Sequence, residues 1–391
     1  MMSNKTAPTS VNGKLPRDTG LDLLRVLAGV MVVLIHTASQ NWYALPPSAP
    51  AWQAMNIFDS MARPAVPLFL MMSGALMLAP EKELSIKKLW LRYIPRLAGA
   101  FMLWSVVYAL YERTSAFTAT TGVTITSIVK SAVIGQYHLW YLPVIILLYT
   151  LLPVLRAVLN DSNANSAEHR RQFDGEPRPT QNGRRRCEYM LLLFLVYSVL
   201  TTTILLFNFP GHAYAKSLAD KFSFGALAPH TGYFLLGFYL YRYTLPRAAR
   251  IALYIGGLCA PFVTAAATYY LSIRAGAPDE RFYTVLSAAT LLCAAALFIF
   301  FREIGARFAF PTEFARVIGF IASCSLEIYL VHVLFLNLLA DRAGITTLSW
   351  PVPALTAVVY AASLAFTAVW KFTIGLFKTR RAADSHPRNI L

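Results

Sequence analysis

Apolar runs of about 20 residues recur from end to end of this 391-residue chain, and they restrict its fold most strongly. A run of that length crosses the hydrocarbon core of a bilayer as one helix. Hydrophobic residues make up 57% of the chain and charged residues only 14%, a balance outside the range of soluble domains. We therefore predict one all-α polytopic membrane domain of about ten transmembrane helices. The predicted helices cover residues 21–40, 57–79, 97–115, 139–158, 189–209, 226–244, 250–271, 282–301, 317–340 and 352–376.

The formal net charge of +16 lies mostly between the apolar runs. A basic chain can bind nucleic acid, but here 27 of the 35 Lys and Arg residues fall on segments that share one side of the membrane. The positive-inside rule predicts that this side is cytoplasmic, with both termini on it, and nucleic acid is not an expected partner. The predicted membrane domain is 17–380, with cytoplasmic tails at 1–16 and 381–391 and a polar cytoplasmic loop at 160–186.

The cysteines give no sign of a metal centre. Cys187 borders the basic loop, and Cys259, Cys293 and Cys324 lie inside apolar runs. No pair has metal-ligand spacing and none lies in a predicted outer loop, so we expect neither a metal site nor disulfides. The first apolar run resembles a signal peptide but contains charged residues, which predicts an uncleaved first helix.

That first run carries a polar stripe. Asp22, Arg25, Gly29 and His36 share one helical face at about 100° per residue. A rise of about 1.5 Å per residue places His36 roughly 16 Å along the helix from Arg25. A charged side chain inside a membrane costs roughly 2.5–3.5 kcal/mol and usually marks a substrate or proton path. We predict that the stripe is the active centre, with His36, Arg25 and Asp22 as its catalytic residues.

Two further helices carry polar groups near this stripe. The second contains Arg63, two prolines within one turn, and Ser73. The prolines predict a kink, and Arg63 needs a hydrogen-bond acceptor at the membrane edge, whereas Ser73 is equally explained by close helix packing. The fourth helix opens with His138, Trp140 and Tyr141 at the outer surface, where an aromatic belt accounts for the last two better than for His138.

The ninth helix adds a carboxylate, a phenol and an imidazole. Glu327 and His332 are five residues apart and about 140° out of phase, so they need not touch. Tyr329 lies between them in the sequence. A single histidine in a helix is more often structural than catalytic. The recurrence of titratable groups at similar depths on four helices nevertheless favours a shared site.

Four motifs in this order resemble the acyltransferase type 3 family of membrane O-acyltransferases. They are Arg and His separated by ten residues in the first helix, Arg-x-x-Val-Pro-Leu-Phe with Ser-Gly in the second, His-Leu-Trp-Tyr-Leu in the fourth, and Ser-Leu-x-Ile-Tyr-x-x-His in the ninth. The second and third motifs are most similar to the enterobacterial common antigen O-acetyltransferase branch. The resemblance covers residues 17–380 in outline.

The resemblance implies a multi-pass protein of the bacterial inner membrane that binds no cofactor. It would take cytoplasmic acyl-CoA as co-substrate, with acetyl favoured by the resemblance and succinyl as the alternative, and modify a hydroxyl of an envelope or lipid-linked glycan. His36 would be the catalytic imidazole and Arg25 its paired motif residue. Glu327 departs from the family, which usually has a small residue there, and the 160–186 loop is longer than in the branch. The predicted substrate-binding residues are Arg63, Ser73, His138, Trp140, Tyr141, Glu327, Tyr329 and His332.

This chemistry fits the residues. Arg25, Lys87, Lys88 and Arg92 would hold the CoA phosphates at the cytoplasmic face. His36 would accept the proton of the acceptor hydroxyl as that hydroxyl attacks the thioester, although a stepwise route through acyl-His36 is equally compatible with the sequence. A proton-coupled carrier or flippase for a polar metabolite is the alternative function, whereas a purely structural subunit leaves the buried polar groups unexplained.

Overall fold

The protein is described from a computed structural model that covers residues 18–82, 84–115, 125–159, 181–222 and 227–384. These residues form helices and connections, with no strand among them. The main helices are α1 Thr19–Ser39, α2 Pro50–Ala62, α3 Ala65–Met77, α4 Ile94–Ser115, α5 Ile125–Ile134, α6 Tyr141–Leu159, α7 Gln181–Phe194, α8 His212–Phe222, α9 Leu227–Arg242, α10 Arg247–Ala275, α11 Ala288–Arg307, α12 Thr312–Ser323, α13 Ser325–Ala343 and α14 Val352–Asp384.

The chain is an all-α polytopic membrane protein. In the described residues, eight helices are long and apolar enough to cross a membrane, and a ninth span results if the bent pair α12–α13 is counted as one. The predicted sixth helix is observed as α9, whose 16 residues are shorter than a full membrane span. The spans in this part of the chain are therefore fewer than the ten predicted.

Helix α1 lies at the centre of the bundle. It packs against α2, α3, α11, α12, α13 and α14. Asp18 caps its N-terminus by accepting a hydrogen bond from the Leu21 amide at 3.1 Å. Because neighbours surround α1, its polar stripe faces other helices rather than lipid.

Two glycines allow α3 and α9 to approach backbone to backbone. A Cβ at Gly74 would lie 1.7 Å from the Phe234 carbonyl oxygen, and a Cβ at Gly237 would lie 2.0 Å from the Met71 carbonyl oxygen. Neither position can accept a side chain without separating the helices. This contact fixes α3, and therefore Ser73, relative to the rest of the bundle.

Two breaks shape the helices around α1. Helix α2 ends at Ala62 and α3 begins after Pro64, because proline lacks an amide hydrogen and disrupts the preceding turn. The helix is therefore broken at Arg63 and Pro64, where a kink is predicted, while Pro50–Met77 remains one candidate span. The second break lies at Cys324, where α12 and α13 meet at a 58° bend that the sequence analysis did not predict.

Several predicted boundaries differ from the structure or lie outside it. The third helix begins earlier than residue 97, because a turn at Ile86–Lys88 and a π-helical turn at Leu89–Tyr93 precede α4. Residues 181–186 of the predicted polar loop are already the first turns of α7. The tail at 1–16, the loop residues 160–180 and the tail residues 385–391 lie outside the described residues.

Candidate active site

Asp22 and Arg25 form a pair on the face of α1 predicted to be polar. Asp22 Oδ1 and Arg25 Nη1 are 3.5 Å apart, with the Asp22 side chain 7% exposed and the Arg25 side chain 27% exposed. The carboxylate lies in the first turn of α1, where the helix dipole also stabilises a negative charge. Asp22 therefore balances Arg25 and leaves its guanidinium accessible from one side.

A cavity of about 380 Å³ begins beside Arg25. It lies between α1, α3, α4, α6 and the bend of α12–α13. Arg96 and the serines on either side of the bend, Ser323 and Ser325, also line it. The cavity thus combines two cations with a mainly apolar interior, as ligand pockets commonly do.

Ser73 lies inside this cavity together with a group of tyrosines. Tyr141 and Tyr149 both line the cavity together with Ser73. The rings of Tyr149 and Tyr93 have centroids 6.4 Å apart, and Tyr93 also lines the wall. The structure therefore places the predicted residues Ser73 and Tyr141 at one site, and adds Tyr93 and Tyr149.

Three histidines from three helical segments meet at the other end of α1. The ring centroids of His36 and His332 are 5.0 Å apart, those of His36 and His138 6.0 Å, and those of His138 and His332 5.6 Å. These residues are 102 to 296 positions apart along the chain. We call this group the histidine cluster. Three predicted site residues therefore share one location.

His332 is held by its own helix. Its Nδ1 lies 2.8 Å from the Tyr329 carbonyl oxygen and 3.2 Å from that of Ile328. A carbonyl accepts hydrogen bonds only, so Nδ1 carries the proton and Nε2 keeps a lone pair. Nε2 is buried and has no hydrogen-bond partner among the described residues. The ring is thus oriented with a basic nitrogen in the interior.

His138 is held through its backbone. It lies in a 3₁₀ turn, Tyr137–Trp140, and its carbonyl oxygen accepts a hydrogen bond from the Tyr329 hydroxyl. Its ring packs edge-on against Tyr108 at 4.7 Å between centroids. The Tyr108 hydroxyl in turn donates to the Leu330 carbonyl oxygen at 2.9 Å, which joins α4 to α13. Cross-helix hydrogen bonds therefore fix the position of this imidazole.

Tyr329 connects the cavity with the histidine cluster. It lines the cavity, and its ring centroid lies 6.3 Å from that of His138 and 6.1 Å from that of His332. Tyr141 lies on its other side at 5.8 Å. A ligand in the cavity therefore has one aromatic ring between it and the imidazoles.

Arg63 is occupied by other residues. Its guanidinium pairs with the buried carboxylate of Asp59 and lies 3.9 Å above the ring of Tyr283. The predicted need for an acceptor is confirmed, but that acceptor is Asp59, a residue the sequence analysis did not select. Arg63 does not line the cavity described above.

Glu327 and Trp140 lie at the edges of the site. Glu327 is 3.8 Å from Arg96 and 3.5 Å from Lys371, and it does not contact His332, as predicted. Trp140 is 40% exposed and packs against His230 with 5.7 Å between centroids. Glu327 therefore belongs to the cation-bearing end of the cavity, and Trp140 lies on the surface of the bundle.

Sequence reasoning missed Arg96, Asp59 and Tyr149. Arg96 follows the selected Arg92 by four residues, which is about one helical turn, and this spacing could have drawn attention to it. Lys87, Lys88 and Arg92 are exposed and lie outside the cavity lining. In the described part of the chain, no group of His, Cys, Asp and Glu side chains is arranged to hold a metal ion.

Comparison with known proteins indicates a family. A family model described as an acyltransferase domain matches residues 18–370 of the chain. A serine/alanine racemase of Enterococcus gallinarum is 29% identical over 136 residues, which cover 33% of this chain and 18% of the racemase. The chain thus matches less than a fifth of that relative's length. No solved structure matches the chain.

Proposed function

Because this chain belongs to the acyltransferase type 3 family of membrane acyltransferases, we propose that it transfers an acyl group to a hydroxyl, with His36 as the catalytic base. The donor is acetyl-CoA on the cytoplasmic side. The acceptor is a hydroxyl of an envelope or lipid-linked glycan. The similarity of two motifs to the enterobacterial common antigen branch favours acetyl and a glycan.

One observation carries this proposal: the cavity has cations at one end and the histidine cluster beyond Tyr329 at the other. An acyl-CoA combines phosphates, which guanidinium groups bind by charge-assisted hydrogen bonds, with a thioester at the far end of an uncharged arm. Such a donor would match both ends of the site at once.

The proposed reaction proceeds by direct transfer. The acceptor oxygen attacks the thioester carbonyl carbon while His36 accepts the hydroxyl proton, and the carbon–sulfur bond breaks as the tetrahedral intermediate collapses. The proton on His36 then passes to the departing CoA thiolate. His332 carries a lone pair on Nε2, and its ring centroid lies 5.0 Å from that of His36. In the proposed reaction this nitrogen would accept a hydrogen bond from the protonated His36 ring.

The charged end positions the donor. Arg25 and Arg96 would bind phosphate oxygens, and Asp22 holds Arg25 in place. Ser73 and the tyrosines of the cavity wall would contact the uncharged arm. His138 and Tyr329 would contact the acyl group or the acceptor, because both lie at the junction of cavity and cluster.

The orientation in the membrane is part of the proposal. The excess of Lys and Arg on one set of connections supports cytoplasmic termini in a bacterial inner membrane. Reporter enzymes fused to the C-terminus should be active only in their cytoplasmic form. Activity of a periplasmic reporter at the C-terminus would show the opposite topology. In that orientation Arg25 would lie on the side away from cytoplasmic acyl-CoA.

The racemase name of the relative is not transferred to this chain. The similarity covers 18% of that protein, and the histidine cluster of this chain is suited to proton transfer during acylation. We therefore propose no racemase activity.

Labelled acetyl transfer tests the proposal. Membranes containing wild-type protein, His36→Ala or the control His212→Ala, a histidine outside the cavity lining, are incubated with radiolabelled acetyl-CoA, and label in envelope and lipid-linked glycan is counted. Label should appear with wild type and His212→Ala and be absent with His36→Ala at equal protein levels. Label with His36→Ala would exclude its role as base, and proton-coupled uptake without any acyl-CoA requirement would favour the carrier function.

A further inference from the structure

The cations near the charged end of the cavity differ in how their charge is balanced. Arg25 pairs with Asp22 at 3.5 Å, and Arg96 lies 3.8 Å from Glu327. Two other cations, Lys82 and Arg156, have no carboxylate oxygen within 4 Å among the described residues. Neither cation is therefore part of a salt bridge among the described residues.

Lys82 lies in the connection between α3 and α4 and is half-buried. Its Nζ contacts the sulfur of Met77 at 2.8 Å, a weak acceptor for an ammonium group. Burial, together with the charges of Arg156 and Lys88, lowers the pKa of Lys82 from its ordinary value. An anion at this position would relieve all of these costs.

Arg156 holds this connection from α6. Its Nη2 donates to the Lys82 carbonyl oxygen at 2.8 Å, whereas its Nη1 is buried with no hydrogen-bond partner among the described residues. The nearby carboxylate of Glu81 is already engaged by Arg242 at 2.5 Å. Arg156 thus fixes the Lys82 backbone with one nitrogen and keeps a second donor free.

This pair adjoins the cavity. The Lys82 ammonium lies 5.8 Å from the centroid of the Tyr93 ring, and that ring lines the cavity wall. Tyr93 in turn packs against Tyr149, which lies seven residues before Arg156 on α6. The two unbalanced cations are therefore one side chain away from the proposed donor site.

We propose that Lys82 and Arg156 form a phosphate-binding site that holds the phosphorylated nucleotide end of the acyl donor. This inference rests on the proposed function, because it adds two residues outside the cavity lining to Arg25 and Arg96 as groups that bind the donor's phosphates. Phosphate oxygens would accept hydrogen bonds from Lys82 Nζ and Arg156 Nη1. The uncharged arm would then pass Tyr93 into the cavity.

An anionic lipid headgroup offers the same phosphate chemistry at this depth. The lining position of Tyr93 favours the donor, because it places the two cations beside an interior cavity. The test therefore uses nanodiscs of phosphatidylcholine alone and of phosphatidylcholine with phosphatidylglycerol. In this way a lipid site and a donor site give different results.

The experiment compares two donors in purified wild type, Lys82→Gln and Arg156→Lys. Acetyl-CoA carries phosphates, whereas S-acetyl-N-acetylcysteamine is a thioester without them. In phosphatidylcholine, Lys82→Gln should raise KM for acetyl-CoA about tenfold, the loss expected for one charge-assisted hydrogen bond, with kcat within about twofold. KM for the small thioester should not change, and Arg156→Lys should give a smaller increase for acetyl-CoA alone.

The control is Arg316→Gln, which removes an exposed cation that pairs with Glu313 on α12. It should leave both KM values unchanged. Equal increases for both donors in Lys82→Gln would indicate a structural role and overturn the site. An unchanged KM for acetyl-CoA, with lost activation by phosphatidylglycerol, would assign the cations to lipid and overturn it as well.

Binding of labelled CoA by equilibrium dialysis separates this site from the proposed function. If wild type binds CoA about tenfold more tightly than Lys82→Gln but transfers no acetyl group, the proposed function fails and the phosphate site stands. If acetyl transfer occurs and both proteins bind CoA equally, the phosphate site fails and the function stands.

Discussion

The two ends of α1 are built on different chemistry. At the Arg25 end, two cations line the cavity and two more lie beside it, and salt bridges to carboxylates are present for only the first two. At the His36 end, three imidazoles contact one another, and backbone carbonyl groups and aromatic rings surround them. The first arrangement suits the binding of an anion, and the second suits the movement of a proton.

The difference explains why one helix carries both groups. A fixed charge gives affinity without changing its protonation state, whereas an imidazole exchanges a proton near neutral pH. Roughly 16 Å of helix separates Arg25 from His36. The cations at the Arg25 end therefore do not contact the imidazoles. We infer that binding and chemistry are divided between the two ends, and the following changes test that division.

The largest expected effect concerns a second Asp–Arg pair, Asp59 and Arg63. Unlike Asp22 and Arg25, this pair is packed against Tyr283 and does not line the cavity. Asp59→Ala would leave the Arg63 charge buried and unbalanced, and should lower the free energy of unfolding by about 3–5 kcal/mol. Denaturant titration of the solubilised protein measures this loss.

The double variant Asp59→Ala with Arg63→Gln is the matched control. It removes both charges and should recover part of the lost stability. If Asp59→Ala is as stable as wild type, the pair has no structural role, and Arg63 becomes available again as a group for binding the acceptor.

The next effect is on His332. His332→Ala should lower kcat about 100-fold with little change in KM for acetyl-CoA, because the proposed mechanism uses His332 to assist the base His36, whereas the charged end is left intact. The pH profile of kcat should also shift, since a neighbour of the base has been lost. His212→Ala, on α8, is the control, and a rise in KM without a fall in kcat would place His332 in donor binding instead.

A smaller effect is expected at Tyr329, where the two ends join. Tyr329→Phe keeps the ring between cavity and cluster but removes the hydrogen bond to the His138 carbonyl oxygen. Loss of one neutral hydrogen bond should reduce kcat/KM by about 2- to 10-fold. Steady-state assays with Tyr214→Phe, an exposed tyrosine, as control would measure it, and an effect above 100-fold would make the hydroxyl itself a catalytic group.

The smallest effect is expected at Glu327. Its carboxylate lies near the exposed guanidinium of Arg96 and near Lys371, so Glu327→Gln makes this end of the cavity more positive. KM for acetyl-CoA should fall by up to about fivefold at low salt, because a partly exposed ion pair contributes up to about 1 kcal/mol. The gain should disappear at high salt because of screening. An increase in KM would show that Glu327 itself contacts the substrate.

The sequence was sufficient for the fold class and for the residues of the histidine cluster. Runs of apolar residues predict helices from solvation alone, and buried titratable residues such as His36, His138 and His332 stand out because each is costly in a membrane. Because these residues lie at similar depths on different helices, the sequence also predicts that they share one site. No proline or glycine lies at the bend at Cys324, so the sequence pattern did not predict it.

Salt-bridge partners and the residues around the cavity could not be predicted from the sequence in the same way. Asp59 lies inside the predicted second helix, one helical turn before Arg63, so the spacing of the two residues could have predicted their pairing. Lys82 and Arg156 are 74 residues apart, and only the packing of α6 against the connection after α3 brings them together. Long-range contacts of this kind depend on tertiary structure, which local sequence patterns do not encode.

Equilibrium binding of CoA to purified His36→Ala and Arg25→Gln tests the division of α1 most directly. Both proteins should transfer less acetyl than wild type, but for different reasons. The division predicts that His36→Ala binds CoA within about twofold of wild type, whereas Arg25→Gln binds about tenfold more weakly, the loss of one charge-assisted contact. Loss of binding in His36→Ala, or wild-type binding in Arg25→Gln, would contradict it.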